Sequence, residues 1–273
     1  MNPDLNPDPV ITSATNQRVK QLVALRSRQE RDDSGRFVAE GYRAVDRLVA
    51  AGRSVETLFV EPARLDEAAR ELVIRIRRTG TEIVELSSAA MAKAAYRDKP
   101  EGIIAVASQW YDELGSLAVT NGLVVIAEGV EKPGNLGAIL RTADAVGCDA
   151  VVVCDERVDR FNPNVIRAAT AVVFSMPVAS GSSAEVLQWA RGNALQLVAT
   201  TPDTDVLHWD ADLSRPTAVL MGAEDAGLTD FWLGHADAAV RLPMAGTADS
   251  LNVGVATAVV LYEAVRQRAT PTR

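Results

Sequence analysis

The sequence predicts an α/β fold in two parts, and three observations carry that expectation. Apolar runs such as Leu123–Ala127, Ala150–Cys154 and Ala218–Met221 recur through the second half, separated by helix-like stretches. Near-continuous apolar strands alternating with helices indicate a parallel sheet covered on both faces. The first hundred residues hold a smaller set of strand and helix patterns, set apart by the polar stretch Ser108–Asn121. At 273 residues, 48% of them hydrophobic and 23% charged, the chain is long enough to bury two cores. The expected division is a domain over 1–107, a linker over 108–120 and a second domain over 121–273.

Taken in order, residues 16–30 read as a helix, with Asn16 as N-cap and Val19, Leu22, Val23 and Leu25 as its apolar stripe. Gly35–Gly41 reads as a strand. Tyr42–Ala51 follows as a helix closed by Gly52. Thr57–Val60 and Glu82–Leu86 are strand-like around a helix over 64–79, Ser87 caps a helix to about Ala95, and Ile103–Ala107 closes the unit. In the second half, strands are expected at Leu123–Ala127, Ala150–Cys154, Phe174–Val178, Gln196–Thr200, Ala218–Met221 and Ala239–Leu242. Helices are expected over 136–146, 162–171, 184–191, about 229–235 and 251–268. In such sheets ligands sit beyond the carboxyl ends of the strands.

Composition narrows the function classes. Met1–Pro9 is polar and lacks the apolar core of a signal peptide, and no window approaches 18 uninterrupted apolar residues, so neither export nor a membrane span is expected. Two cysteines, Cys148 and Cys154, form neither a zinc box nor a disulfide framework, which fits a reducing cytoplasm and no metal. The net charge of -8 argues against a nucleic-acid partner, but its distribution weakens that argument. Residues 1–110 hold 17 of the 28 basic and 16 of the 36 acidic side chains, leaving 11 against 20 for the remainder. Within 16–36, Arg18, Lys20, Arg26, Arg28, Arg31 and Arg36 face only Glu30, Asp32 and Asp33. Such a segment can follow a phosphate backbone; the plainer alternative is a solvated helix face.

Three polar stretches stand at strand ends. Glu128–Gly137 opens a helix with glycines but matches neither G-x-G-x-x-G nor a Walker A loop. Within it Asn135 stands where an N-cap belongs, and Arg141 follows about two turns into an apolar helix. Gly222-Ala223-Glu224-Asp225-Ala226-Gly227-Leu228 places two acids between glycines at a sheet edge. Asp249-Ser250-Leu251-Asn252 opens the last helix, where the polar side chains serve as caps or as ligands. Each is weak alone; together they form one candidate pocket. His208 and His235 have no Ser or Cys motif nearby, and Trp209 and Trp232 are expected to pack.

These three stretches, Asn135–Arg141, Met221–Leu228 and Leu242–Met244 with Ser250–Val253, resemble the three motifs of the SpoU/TrmH family. That family belongs to the SPOUT superfamily of S-adenosylmethionine-dependent RNA ribose 2'-O-methyltransferases. The resemblance covers 121–268. Residues 1–107 are similar, more loosely, to an L30e-like substrate-binding module, through Arg36-Phe37-Val38-Ala39-Glu40-Gly41-Tyr42. Leu242–Gly246 and Leu261–Arg268 incline the likeness toward ribosomal RNA enzymes, some of which confer antibiotic resistance.

The resemblance implies a C-terminal trefoil knot, a homodimer, S-adenosyl-L-methionine as cofactor and RNA, foremost 23S ribosomal RNA, as substrate. It places Thr200, Gly222, Leu242 and Leu251 around the cofactor, and Arg141, Asn135, Glu224, Ser250 and Asn252 at the reacting ribose. The family assigns the residue matching Arg141 as proton acceptor or phosphate clamp. A guanidinium has a pKa above ~12 and is a poor base, so orientation and charge stabilisation are expected of it. Arg18, Lys20, Arg26, Arg28, Arg36 and Arg167 are expected to contact RNA. A transfer-RNA methylase, a non-catalytic RNA-binding or ribosome-assembly protein, and a nucleotide-dependent oxidoreductase remain open alternatives at this point.

Overall fold

The computed structural model describes residues 9–269, so Met1–Asp8, most of the stretch read for a signal peptide, lies outside the described residues. Contacts divide the chain into two units: residues 1–110 with 161–167, and residues 111–160 with 168–273.

In the first unit, β1 (Val10–Ile11), β2 (Arg36–Glu40), β3 (Thr57–Val60), β4 (Glu82–Leu86) and β5 (Ile103–Ser108) form a mixed sheet in the order β1-β4-β3-β5-β2. The edge strand β1 pairs parallel with β4; at two residues it is too short for its period to be read. Helices α1 (Gln17–Ala24), α2 (Arg28–Ser34), α3 (Tyr42–Ala50), α4 (Glu67–Arg77) and α5 (Ser88–Ala94) complete it. Asn16 caps α1 as expected, its Oδ1 accepting from the Arg18 N–H.

The single helix expected over 16–30 is two. Carbonyls at a helix end lack partners, and here Arg31, buried at 1% exposure, turns its guanidinium back on those of Leu25 and Arg26 at 2.9 Å each. Arg26 does the same for α5, donating to the carbonyls of Lys93, Ala94 and Ala95. Both arginines close helices, where a cation also suits the negative end of the dipole.

The second unit holds β6 (Leu123–Glu128), β7 (Ala150–Cys154), β8 (Val178–Gly181), β9 (Gln196–Thr200), β10 (Thr217–Met221) and β11 (Ala238–Val240) in the order β11-β9-β10-β6-β7-β8. Neighbouring strands of this sheet all pair in parallel, and β6, β7 and β10 are buried throughout, which is why their sequences are apolar without alternation. Helices α6 (Pro133–Val146), α8 (Ser183–Gly192), α9 (Asp230–His235) and α10 (Val253–Ala269) belong here, while α7 (Pro163–Ala168) lies almost wholly in the first unit. The strand expected at Phe174–Val178 begins only at Val178. Val172–Phe174 is instead a buried single 3-10 turn, entered through left-handed Thr170 and Ala171. A short buried turn and a short buried strand look alike in sequence. The stretch expected as linker is not a free tether: Leu117 is buried in the second unit's core, with Leu114 and Val119 packed against it.

Register fixes where the second unit opens. Ala127 of β6 pairs with Met221 of β10, and Thr200 of β9 pairs with Val240 of β11. The chain therefore leaves β6, β10, β9 and β11 at the same carboxyl edge of the sheet, where ligands of such sheets bind.

Candidate active site

Beyond β6, Pro133 occupies the first turn of α6, where its fixed φ is favourable and its missing N–H costs nothing. Asn135 is thus inside the helix rather than its cap, and it is nearly buried. Its Oδ1 accepts a hydrogen bond from Asn252 Nδ2 at 2.9 Å, while its own Nδ2 is buried with no partner among the described residues. Arg141, two turns on, is exposed and has no hydrogen bond or ion pair with another described residue.

Beyond β10 the chain doubles back tightly. Ala223 and Gly227 exchange both backbone hydrogen bonds, at 3.1 and 2.9 Å. A Cβ on Gly222 would lie 2.2 Å from the Gly227 carbonyl carbon, so only glycine fits there. Glu128, the buried last residue of β6, anchors the far end of this loop: its carboxylate accepts from the Thr229 N–H at 2.8 Å and the Thr229 hydroxyl at 2.7 Å. Glu224 ion-pairs with Lys132 of the first loop and not with Arg141, and its Oε1 is buried without a partner among the described residues. That hydrogen bond raises the Lys132 ammonium above its usual range.

Beyond β11, Leu242 is half-buried and residues 245–250 are exposed. The last helix starts at Val253, so Ser250, Leu251 and Asn252 precede it. Asn252 acts as its cap: its carbonyl accepts from the Ala256 N–H at 2.8 Å and its Oδ1 from the Gly254 N–H at 3.0 Å. Gly254 allows α10 to approach α6, since a Cβ there would meet the Ala138 Cβ at 2.7 Å. Thr200 donates its hydroxyl to the Leu220 carbonyl at 2.7 Å, joining β9 to β10 at this edge.

The structure thus joins Asn135 to Asn252 directly, and ties the Gly222 loop to the Asn135 loop through Glu224 and Lys132 and through Glu128 and Thr229. No hydrogen bond joins Ser250 or Arg141 to these groups among the described residues. Glu128, Lys132 and Thr229 are the positions that sequence reasoning left without a role. A signal for Lys132 existed, because it is the one cation between Glu128 and Gly137, opposite a loop carrying two acids.

Polar groups left unpaired in a buried place cost roughly 1–3 kcal/mol each. The donor Asn135 Nδ2 and the acceptor Glu224 Oε1 therefore suit a polar ligand at this edge, and the tight Gly222 turn leaves backbone groups close to it. The two thiols play no nucleophilic part, because burial pushes both Cys148 and Cys154 up to about 12. Among the described residues no cluster of His, Cys, Asp and Glu is arranged to hold a metal ion.

The basic candidates of the first unit separate by environment. Arg26 is spent on helix closure, Arg28 pairs along its own helix with Asp32 at 3.4 Å, and Lys20 is exposed. Arg18 pairs with Glu82 at 2.9 Å and Arg36 with Glu56 at 2.6 Å, both at the surface. Arg167 is exposed on α7. Of the aromatic residues expected to pack, Trp232 is fully buried, whereas Trp209 is half-exposed, edge-on to His208.

Residues 122–262 match the SpoU rRNA Methylase family, and residues 16–105 match the MRM3-like substrate binding domain. A Streptomyces viridochromogenes protein named 23S rRNA (uridine(2479)-2'-O)-methyltransferase is 34% identical over 94% of this chain and 92% of its own. The crystal structure of an AdoMet-bound rRNA methyltransferase from Sinorhizobium meliloti superposes with a TM-score of 0.87 at 32% identity, covering 96% of this chain and 98% of that one. The SpoU methyltransferase AviRb of Streptomyces viridochromogenes, in complex with AdoMet, gives a TM-score of 0.86 at 33% identity over 94% and 100% of the two chains. With its motif loops at one sheet edge and these matches over nearly its whole length, the chain belongs to the SpoU rRNA methylase family.

Proposed function

We propose that this protein transfers the methyl group of S-adenosyl-L-methionine to a ribose 2'-hydroxyl of ribosomal RNA, 23S RNA in particular. The observation that carries this reading is the Asn135–Asn252 hydrogen bond, which holds the first and third motifs together at the carboxyl edge of the sheet where the second motif loop also emerges. The cofactor, when bound, supplies an electrophilic methyl on a positively charged sulfonium.

Gly222, Leu242, Leu251 and Thr200 hold it largely through backbone groups, in keeping with a sequence that lacks a charged cofactor signature. The chain must then bring one hydroxyl into line and help its proton leave. Asn135 presents its free Nδ2 to the ribose, and Asn252 fixes which way that amide points. Glu224 keeps its free oxygen in the site while its other oxygen holds Lys132. Arg141 extends from α6 into solvent and meets the RNA only when the RNA arrives, orienting it and countering its charge. Ser250, exposed beside Asn252, contacts the substrate from the same helix mouth. Arg18, Lys20, Arg28, Arg36 and Arg167 contribute phosphate contacts; Arg26 is left out of that role because its guanidinium is committed to α5.

Labelled S-adenosylmethionine with separated 23S, 16S and transfer RNA tests the reading. Label in 23S RNA, at a position resistant to alkaline cleavage, is the expected result. Label confined to transfer RNA, or none, overturns it.

Two further parts of the reading are the trefoil knot and a homodimer. Support for the dimer comes from α10, where Val255, Val259 and Tyr262 are exposed at helical spacing along one face, with exposed Leu251 just before it. A second copy covers that stripe, and Val259→Glu is expected to convert dimer to monomer by analytical ultracentrifugation. A Val259→Glu protein that sediments as wild type refutes this assignment. Among the described residues no helix is long and apolar enough to cross a membrane, and the cytoplasm, where ribosomal RNA is modified, is the proposed location.

A further inference from the structure

The first unit contains a cleft of about 220 Å³, lined at its rim by Arg18, Gln21, Glu30 and Arg36 and floored by Leu22, Leu25, Phe59 and Val106. The two arginines are eighteen positions apart in sequence, on α1 and β2, yet both edge this one depression. Unlike two other arginines of the 16–36 segment, neither closes a helix end. Arg31 is buried and Arg26 grips three carbonyls, whereas Arg18 pairs with exposed Glu82 and Arg36 with half-buried Glu56, the arginine side chains being 42% and 55% exposed. Exposed ion pairs contribute about 0–1 kcal/mol, so exchanging Glu82 for a phosphate costs little, and Glu56 keeps its Ser108 hydrogen bond if Arg36 turns to a phosphate.

From this combination we infer that the cleft seats one unpaired nucleotide of the RNA substrate, with the base on the apolar floor and its flanking phosphates on Arg18 and Arg36. The pairing of parts is what a splayed-out base requires: an apolar bed for the ring, an edge that hydrogen-bonds, and cations for the backbone on either side. Gln21 offers a donor and an acceptor to the base edge. Glu30 offers acceptors only and therefore selects an edge carrying N–H groups. The floor residues Leu22, Leu25 and Phe59 are also core residues, so the bed is rigid before RNA arrives. This site is distinct from the motif loops at 135–141, 222–228 and 250–252, and it accounts for substrate recognition by the first unit. It rests on the proposal that the substrate is RNA.

The test reads binding directly, in the full-length protein, and so does not depend on turnover. A fluorescein-labelled RNA hairpin containing a run of unpaired nucleotides is titrated against wild type and against Arg18→Ala/Arg36→Ala. The double variant is expected to bind roughly tenfold more weakly, with the slope of log affinity against log salt reduced by about two. S-adenosylhomocysteine affinity and melting temperature should stay as in wild type. Seating of a base is read separately, by crosslinking the same hairpin substituted with 4-thiouridine in the loop and mapping the attached peptide. Attachment within residues 17–36 supports the cleft.

Unchanged affinity and salt slope in the double variant, or attachment only outside 17–36 and 57–59, overturns it. Those failures leave the methyltransferase reading intact if wild type still labels 23S RNA. Absence of label with normal hairpin binding and attachment in 17–36 would instead sink that reading and keep the cleft.

Discussion

Replacing Asn252 separates what the helix mouth does for folding from what it does for chemistry. In Asn252→Ala two interactions go. The Gly254 N–H loses its cap acceptor at 3.0 Å, and a lost cap costs about 1 kcal/mol. The nearly buried Asn135 Oδ1 loses its donor at 2.9 Å, and an orphaned buried acceptor costs roughly 1–3 kcal/mol. The sum is about 2–4 kcal/mol, and for a loss near 3 kcal/mol in a body of this size the melting temperature falls by about 6–12 °C. Asn252→Asp behaves differently. Its carboxylate still caps Gly254, and the Asn135 amide turns over so that its now-unpaired Nδ2 donates to the second oxygen. Stability should stay within about 1 kcal/mol of wild type, since the turned amide still has one group paired and one unpaired, as it has beside Asn252. Turnover, however, should drop with the Asp variant, because the Asn135 donor no longer faces the ribose. Calorimetric melting beside single-turnover methylation of 23S RNA reads both quantities. A cost below about 0.5 kcal/mol for the alanine variant, or equal destabilisation by Ala and Asp, refutes this account of the amide pair.

Other perturbations probe the remaining parts. Arg141→Ala should abolish methyl transfer while leaving S-adenosylhomocysteine affinity unchanged by calorimetric titration, because its exposed side chain makes no hydrogen bond or ion pair with another described residue; near-normal turnover removes it from the site. Gly222→Ala forces a Cβ to within 2.2 Å of the Gly227 backbone. The loop must then open, so cofactor affinity should fall by at least about tenfold, one 1.4 kcal/mol step, and an unchanged Kd contradicts the loop's role. Asp149 supports the entry to β6. Burial alone pushes its carboxyl up, but hydrogen bonds from the Asn121 and Gly122 N–H groups and the Thr120 hydroxyl hold it below its usual range. A lowered carboxyl stabilises above its unfolded value near ~4 and loses that contribution as pH falls through the folded value. Asp149→Asn should therefore destabilise at pH 7 and flatten the acid limb of the stability profile, and an unaltered acid limb excludes the carboxylate as its source.

What the sequence revealed and what it hid follow from the physics of each element. The parallel strands were legible because burial on both faces makes them apolar without interruption, and β6, β7, β9 and β10 fall within a residue of their expected positions. The loops of the site were legible only together, because turns and caps use the same glycines and polar residues and it was three such stretches in order that resembled the family's motifs. Long-range pairing was hidden. Nothing in the local pattern around Arg31 shows that its charge is folded back under the end of α1, since a buried guanidinium and a solvated one have the same neighbours in sequence. The same holds for Arg26, which charge alone placed among the RNA contacts and geometry commits to α5. The Asn135–Asn252 bond spans 117 positions, and the expectation of Asn135 as a cap failed because Pro133 starts the helix two residues earlier. Of the two roles posed at the last helix, the cap is observed, and the same side chain also holds Asn135. Asn252 spends its Oδ1 on the Gly254 N–H and its Nδ2 on Asn135. In the proposed reaction Asn135 meets the substrate, and Asn252 acts on it through the orientation it imposes. Capping and the proposed chemistry are coupled here, because the side chain that caps α10 with its Oδ1 also fixes, with its Nδ2, which way the Asn135 amide points.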